Sequence, residues 1–158
     1  MQFERAVRAL RDAEVEFVII GGVAATFHGS ASVTFDLDIC YSREATNLSR
    51  LAKALAPFHP RLRGIPDHLP FIWDAGTLRN GSLFTLTTDI GDIDLLGEVT
   101  GLGGYGEVKA MAIDVKAYGG SVSALNLRGL IQAKRAAGRP KDLLVLPELE
   151  SLLEAEEP

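Results

Sequence analysis

Two aspartates separated by one residue, Asp36 and Asp38, lie within an apolar stretch and constrain this chain more than any other feature. In a β-strand, residues i and i+2 point to the same side of the sheet. The two carboxylates should therefore face one side, while Phe35, Leu37 and Ile39 face a core. Because two like charges held so close repel each other, a divalent cation is the usual remedy. The pair predicts a metal site, with a pair of exposed acids on an edge strand as the alternative.

A glycine pair, Gly21-Gly22, follows the apolar run 17–20, which reads as a buried strand. Backbone N–H groups at the start of a helix can receive a phosphate when no side chain stands in the way. A strand-to-helix turn that needs a positive φ is the alternative explanation. Together with the aspartate pair, the glycines predict a nucleoside triphosphate bound with magnesium or manganese.

A third carboxylate comes from a predicted β-hairpin, whose arms are residues 83–87 and 92–96. Asp94 lies between two apolar neighbours, as an inward-facing acid does on a buried strand. Neighbouring strands lie about 4.8 Å apart, so this acid could share a metal with the first two. Asp92 lies on the same face and is the alternative, although the glycine before it suggests that it belongs to the turn.

Composition sets broad limits. The chain has 158 residues, of which 47% are hydrophobic and 23% charged, as expected for one globular domain with a core. Cys40 is the only cysteine, which excludes an internal disulfide and a cysteine-rich zinc site. The net charge of -5 argues against non-specific coating of nucleic acid, and no DNA-binding motif is visible. With no apolar stretch near the roughly 20 residues of a membrane span, we expect a cytoplasmic protein.

The remaining pattern predicts an α+β fold with a mixed β-sheet flanked by helices and a helical C-terminal segment. We expect residues 1–120 to form the core and residues 121–158 to pack on the same domain. The predicted elements are a helix from Phe3, a strand to Ile20, a helix over 22–27, a strand over 32–41, a helix over 48–55, the hairpin, a strand over 110–118 and helices from Ser123, interrupted at 138–140 and resumed at Pro147. Four prolines predict a mobile loop over 57–70.

Several other residues attract a functional interpretation. The glycine-rich stretch 101–106 lacks the Lys-Ser/Thr of a P-loop, and we read it as a flexible connection. His28 could contact a nucleotide, but a packed or capping histidine is the simpler reading. Cys40 is expected to be a small buried hydrophobe. Trp73 is expected in the core, or as a lid residue if the proline-rich loop closes over the site.

These features resemble the nucleotidyltransferase fold of the DNA polymerase β superfamily, whose members share a glycine pair, a two-acid strand and a third acid on a neighbouring strand. Two longer stretches, 22–29 and 134–142, are similar to small bacterial nucleotidyltransferases of the AbiEii toxin type. The resemblance covers most of residues 15–150, and its specific part is the three-acid pattern. Relatives often carry an arginine where this chain has Ser32, which implies weaker binding of a phosphate or an acceptor.

The resemblance implies that Asp36 and Asp38 hold metal ions on the nucleotide phosphates, while Asp94 is a ligand and a candidate base. It implies a Mg²⁺-dependent transfer of a nucleoside monophosphate from an NTP to a hydroxyl of RNA or tRNA, a partner protein or a small molecule. A role in toxin–antitoxin or abortive-infection systems would follow. The residues expected to contact the nucleotide are Gly21, Gly22, Lys134, Arg139 and Lys141.

Three alternatives stay open at this point. The chain could be a non-catalytic nucleotide-binding or antitoxin-like partner protein with the same fold. A dinucleotide site of the Rossmann type is weaker, because the glycines do not give the G-x-G-x-x-G spacing. The basic run 128–141 is more often a solvated helix face than a ligand site.

Overall fold

A computed structural model describes residues 1–157 as an α+β fold built around a seven-stranded mixed sheet. The strands are β1 (Phe17–Ile20), β2 (Asp36–Tyr41), β3 (Arg61–Leu62), β4 (Leu83–Thr88), β5 (Gly91–Leu96), β8 (Ala112–Ala117) and β9 (Gly120–Leu125), in the spatial order β3-β4-β5-β2-β1-β9-β8. Two further strands, β6 (Glu98–Val99) and β7 (Gly103–Gly104), form a small separate hairpin.

The described part of the chain also contains seven α-helices. They are α1 (Phe3–Asp12), α2 (Gly21–Phe27), α3 (Ala45–Leu55), α4 (Ala75–Arg79), α5 (Tyr105–Ala110), α6 (Leu127–Ala137) and α7 (Pro140–Glu156), with a 3₁₀ turn at Ala56–Phe58. Helices α6 and α7 pack against each other, and α2 packs on β2. Within residues 1–157, no helix has the length and apolar composition needed to cross a membrane.

The core lies on one face of the central strands because apolar and acidic residues alternate along them. Leu37 and Ile39 of β2 are fully buried, as are Ile93 and Leu95 of β5, while the acids between them remain partly exposed. Cys40 is also fully buried, as predicted, and burial raises its pKa to about 12. The alternation therefore separates an apolar face from a face that carries the carboxylates.

The second strand is shorter than predicted. It begins at Asp36, and Phe35 is 76% exposed instead of facing the core. The reason lies in the preceding segment, where Ser30 Oγ and the Ala31 backbone N–H both donate to the Glu148 carboxylate of α7, at 2.6 and 3.1 Å. These bonds tie the segment before β2 to α7.

The C-terminal half contains a strand that the sequence analysis missed. Residues 120–125 form β9, paired with β1 and β8, where a helix was expected from Ser123. Tyr118 and Gly119 both have positive φ and form a two-residue hairpin turn, which joins β8 to β9. The expected division at residue 120 thus falls inside the sheet, and the helical segment begins at Leu127.

Two other stretches are more regular than predicted. The glycine-rich stretch 101–106 is not a flexible connection, since it supplies β7 and the start of α5. The proline-rich segment is anchored as well, because β3 pairs with β4 and the Trp73 indole N–H donates to the Ala52 carbonyl at 2.8 Å. Trp73 is therefore a half-buried anchor on α3.

Helix α7 begins seven residues before the predicted start at Pro147, which lies inside the helix. Gly138 ends α6 in the left-handed conformation, and Pro140 then opens α7. Asp142 fixes this junction: its fully buried carboxylate accepts from the Arg139 backbone N–H, from the Arg139 guanidinium at 2.7 Å and from Lys134 Nζ at 3.3 Å. These donors hold the pKa of Asp142 at about 2, with the Arg139 hydrogen bond as the main cause.

We expect Asp142→Asn to destabilise the protein by about 1–2 kcal/mol at neutral pH, since the charged form is the one that the fold stabilises. A lowered pKa contributes stability above the unfolded value near 3.8, which is lost as the pH falls towards 2. The wild type should therefore lose its advantage over the variant across that interval. Denaturant unfolding between pH 2 and pH 7 measures this, with the exposed Asp67→Asn as the control.

Candidate functional site

The carboxylates come together because β2 and β5 run parallel and in register. Asp36 pairs with Asp92, and Asp38 pairs with Asp94. Within each strand the two aspartates are separated by one residue, so all four side chains share the face opposite the core. The predicted hairpin is confirmed, and its register places Asp94, not Asp92, beside Asp38.

The surroundings of Asp38 disfavour the charged form of its carboxyl group. Burial, the charge of Asp94, a hydrogen bond to Asp94 and the charge of Asp36 together raise the pKa of Asp38 to about 7, and Lys134 opposes them. Its Oδ1 atom is buried and meets no donor among the described residues. A buried oxygen without a donor is unfavourable, so this carboxylate is suited to a cation.

The glycine pair makes room for this arrangement. Gly21 follows β1 with φ +64°, and a Cβ there would overlap Asp38 Oδ2. A Cβ on Gly22 would lie 2.8 Å from Thr34 Oγ1. The pair thus forms a strand-to-helix turn in which Gly21 needs a positive φ, and it also lets the backbone approach the Asp38 carboxylate. Helix α2 starts at Gly21 with no side chain capping its N-terminus.

Arg63 is the residue that the sequence analysis missed. It follows β3, the edge strand two positions from β5 in the sheet. Its Nη2 lies 2.8 Å from Asp94 Oδ1 and donates to the Leu86 carbonyl at the same distance. Its Nε lies 3.2 Å from Asp92 Oδ2, an ion pair without hydrogen-bond alignment. The signal was the alternation Arg61-Leu62-Arg63 between Pro60 and Gly64, typical of a short edge strand.

The predicted nucleotide-contacting cations are placed differently from one another. Lys134 is near enough to Asp38 to lower its pKa, and it also pairs with Asp142. Arg139 binds Asp142 through its guanidinium. Lys141, in the first turn of α7, is exposed and makes no ion pair within residues 1–157. Of the three, only Lys134 is shown in electrostatic contact with the carboxylates.

The rest of the basic run is neutralised by the acidic C-terminal helix. Arg128 of α6 binds Glu157, and Arg135 binds Glu150 at 2.6 Å. These pairs are exposed, and each contributes at most about 1 kcal/mol. The basic face of α6 therefore packs towards α7, and it does not form a continuous positive surface over the site.

Two further candidates have structural partners. The His28 ring is almost fully buried, and because a carbonyl only accepts, its Nε2 donates to Leu125 O at 2.9 Å. The packed reading of His28 is confirmed. Ser32 Oγ lies 3.4 Å from Glu148 Oε1, so Ser32 contacts α7.

Carboxylate oxygens are ligands that Mg²⁺ prefers, and the donorless Asp38 Oδ1 beside Asp94 fits such an ion. Among residues 1–157, no three His, Cys, Asp or Glu side chains are clustered closely enough to hold a metal on their own. Mg²⁺ commonly completes its octahedron with phosphate and water oxygens around one or two carboxylates. Asp36 and Asp38 could therefore serve as two ligands of a magnesium ion whose remaining ligands are water or phosphate oxygens.

The fold itself has a solved counterpart. A crystal structure from Thermotoga maritima, provisionally assigned as a nucleotidyltransferase, matches 94% of this chain and 90% of its own, with a TM-score of 0.61 and 15% identity. No protein-family model matches the sequence, and no curated protein matches it. The comparison shows a nucleotidyltransferase-like fold, as predicted, at an identity too low to carry residue roles.

Gly21→Ala should destabilise the protein by about 2 kcal/mol or more, because the new Cβ meets both a left-handed backbone and the Asp38 carboxylate. Gly106→Ala, inside α5 with open space around it, is the matched control and should be neutral or stabilising by about 0.5–1 kcal/mol. Thermal unfolding of both variants measures the difference. Equal melting temperatures would contradict the close approach.

Asp38→Asn should stabilise the metal-free protein at pH 8 by roughly 1–3 kcal/mol. A carboxyl whose pKa is raised binds more protons in the folded state, so its ionisation weakens the fold as the pH rises from about 4 to about 7. The advantage of the variant should therefore shrink on acidification and vanish below pH 4. Unfolding in EDTA across this range tests the sign, and a variant that is less stable at pH 8 would refute it.

Proposed function

We propose that this protein transfers a nucleoside monophosphate from an NTP to an acceptor hydroxyl, with Mg²⁺ or Mn²⁺ held by the aspartate face of the sheet. The observation that carries the proposal is the pairing of Asp38 with Asp94, which leaves a buried carboxylate oxygen without a donor. The nucleotidyltransferase-like fold supports it. RNA or tRNA, a protein and a small molecule remain the classes of acceptor, and a toxin–antitoxin role is a further hypothesis.

Asp36 and Asp38 are the proposed metal ligands that align the triphosphate. They come from consecutive same-side positions of one rigid strand, so their spacing is set by the backbone. A metal ion held by these two residues would neutralise charge on the phosphates and so favour in-line displacement. Gly21 and Gly22, at the start of α2, where no side chain caps the helix, are the proposed contacts of the phosphates.

Asp94 is the proposed third ligand and the group that accepts the proton of the attacking hydroxyl. Arg63 holds only its Oδ1, at 2.8 Å, which leaves Oδ2 for the site. Lys134, at the junction of α6 and α7, is the proposed cation for the phosphate end, because its charge already reaches Asp38. Arg139 and Lys141, at the start of α7, would contribute to the same positive end of the site.

Asp36→Asn should abolish Mg²⁺-dependent NTP binding and reduce transfer by about a hundredfold or more, since it removes one of two ligands on the strand. Isothermal titration of each NTP, with Mg²⁺ and then with EDTA, measures binding without knowledge of the acceptor. The control is Asp114→Asn, which removes the same charge from an exposed position of the edge strand β8.

Wild-type binding that requires Mg²⁺ and survives in the control alone would support the assignment and identify the preferred base. Binding that persists in Asp36→Asn would place the nucleotide elsewhere. No binding of any NTP to the wild type would favour a non-catalytic partner protein with this fold, and a search for its binding partner would then replace the enzyme assay.

A further inference from the structure

The two edges of the seven-stranded sheet differ in length. One edge is β3, which has only two residues and follows Pro60, so it offers little backbone to another strand. The other edge is β8, six residues long, without a proline, a glycine or a bulge. Its register with β9 is continuous from Ala112 to Ala117. The outer side of β8 is therefore a long strand edge with no strand beside it among residues 1–157.

The turn between β8 and β9 decides which backbone groups of β8 point outward. The two-residue turn 118–119 is flanked by Ala117 and Gly120, which therefore form a hydrogen-bonded pair. Hydrogen-bonded and non-hydrogen-bonded pairs alternate along an antiparallel ladder. The backbone N–H and C=O groups of Asp114 and Lys116 therefore point away from the sheet.

The same two residues carry the charges of this edge. Asp114 and Lys116 are both exposed and lie on one face of β8. Neither forms an ion pair within residues 1–157. On the other face, Val115 is half-buried and Ile113 is 41% exposed. The edge thus combines free backbone groups, one charge of each sign and a partly exposed apolar row.

A second copy of β8 matches this pattern in one antiparallel register. When the two-fold axis passes through Val115, Asp114 of each copy lies opposite Lys116 of the other. Ile113 then lies opposite Ala117, and the outward-pointing backbone groups meet as hydrogen-bonded pairs. An axis at Asp114 or at Lys116 would set two like charges directly opposite each other, which is destabilising. Axes nearer to either end of β8 leave one of the charged residues without a partner residue in the strand.

We propose that β8 pairs with β8 of a second copy of this chain about a two-fold axis at Val115, which joins the two sheets into one. Opposite charges and β-branched residues that face each other across two strands both stabilise such a pairing. A two-fold interface uses the same patch on both copies, and this strand is complementary to itself. Strands β1 and β9 separate the interface from the aspartates of β2, so the inference does not depend on the proposed function.

The test is the molecular mass in solution, measured by sedimentation velocity over a series of protein concentrations. The wild type should associate to about 34 kDa, twice the 17.0 kDa of the chain. Asp114→Lys and Lys116→Asp should each raise the dissociation constant at least about tenfold, because each sets like charges opposite each other in both cross-strand pairs. Asp67→Lys makes the same charge change at an exposed loop position and should associate like the wild type.

An equimolar mixture of the two single variants tests the register itself. One chain then carries two positive charges on β8 and the other carries two negative charges, so a mixed dimer regains opposite charges in both pairs. The mixture should therefore associate at least about tenfold more tightly than either variant alone.

Amide hydrogen exchange tests the same interface on the wild type, without any variant. The backbone N–H groups of Asp114 and Lys116 should exchange freely in the monomer and become protected at concentrations where the dimer forms. Free exchange of both groups in the dimer would place its interface elsewhere and overturn the proposal.

Three sedimentation results would also overturn it. The first is a wild type that stays at 17.0 kDa up to about 1 mM protein. The second is a dimer that both single variants retain at the wild-type affinity. The third is a mixture of the two variants that associates no better than either of them alone.

Discussion

The parallel, in-register pairing of β2 with β5 is the constraint on which the rest of the site depends. It sets Asp38 beside Asp94 and Asp36 beside Asp92, with like charges directly opposite each other across neighbouring strands. Such pairs are destabilising in a sheet unless something neutralises them. Leu37, Ile39, Ile93 and Leu95, buried on the other face, hold the register, because a slip by one residue would turn the acids into the core. The hydrophobic core thus maintains an electrostatic arrangement that would not persist alone.

The structure relieves this repulsion in three different ways. Arg63 neutralises the β5 pair through direct contacts, and Lys134 lowers the pKa of Asp38 from a greater distance. A proton supplies the rest, since the pKa of Asp38 near 7 means that it is partly protonated at neutral pH. A proton is the most easily displaced of the three. A divalent cation that replaced this proton would gain Asp36 and Asp38 as ligands without breaking an ion pair. For this reason we propose that the metal binds at these two residues.

Local chemistry made much of this fold predictable from sequence. The Asp36-Leu37-Asp38 and Ile93-Asp94-Leu95 alternations identified two buried strands with acids on their open face, and the structure confirms both. The predictions failed where contacts between distant parts of the chain set the bounds or the type of an element. Ser30 and Ala31 both donate hydrogen bonds to Glu148 of α7, and β2 begins four residues later than its composition suggests. Likewise, β9 owes its place to pairing with β1 and β8, which a run of small residues did not reveal.

Arg63 shows why the same limit applies to function. Its neighbours in sequence are prolines, a glycine and exposed residues, which predicted a mobile loop with no chemistry. Only the order β3-β4-β5-β2 brings this arginine within reach of Asp94, thirty-one positions later in the chain. An acid on a buried strand can be found from its apolar neighbours, because the periodicity is local. The cation that balances it comes from whichever strand the topology places two positions away in the sheet, so the charge balance of such a site becomes visible only in the folded protein.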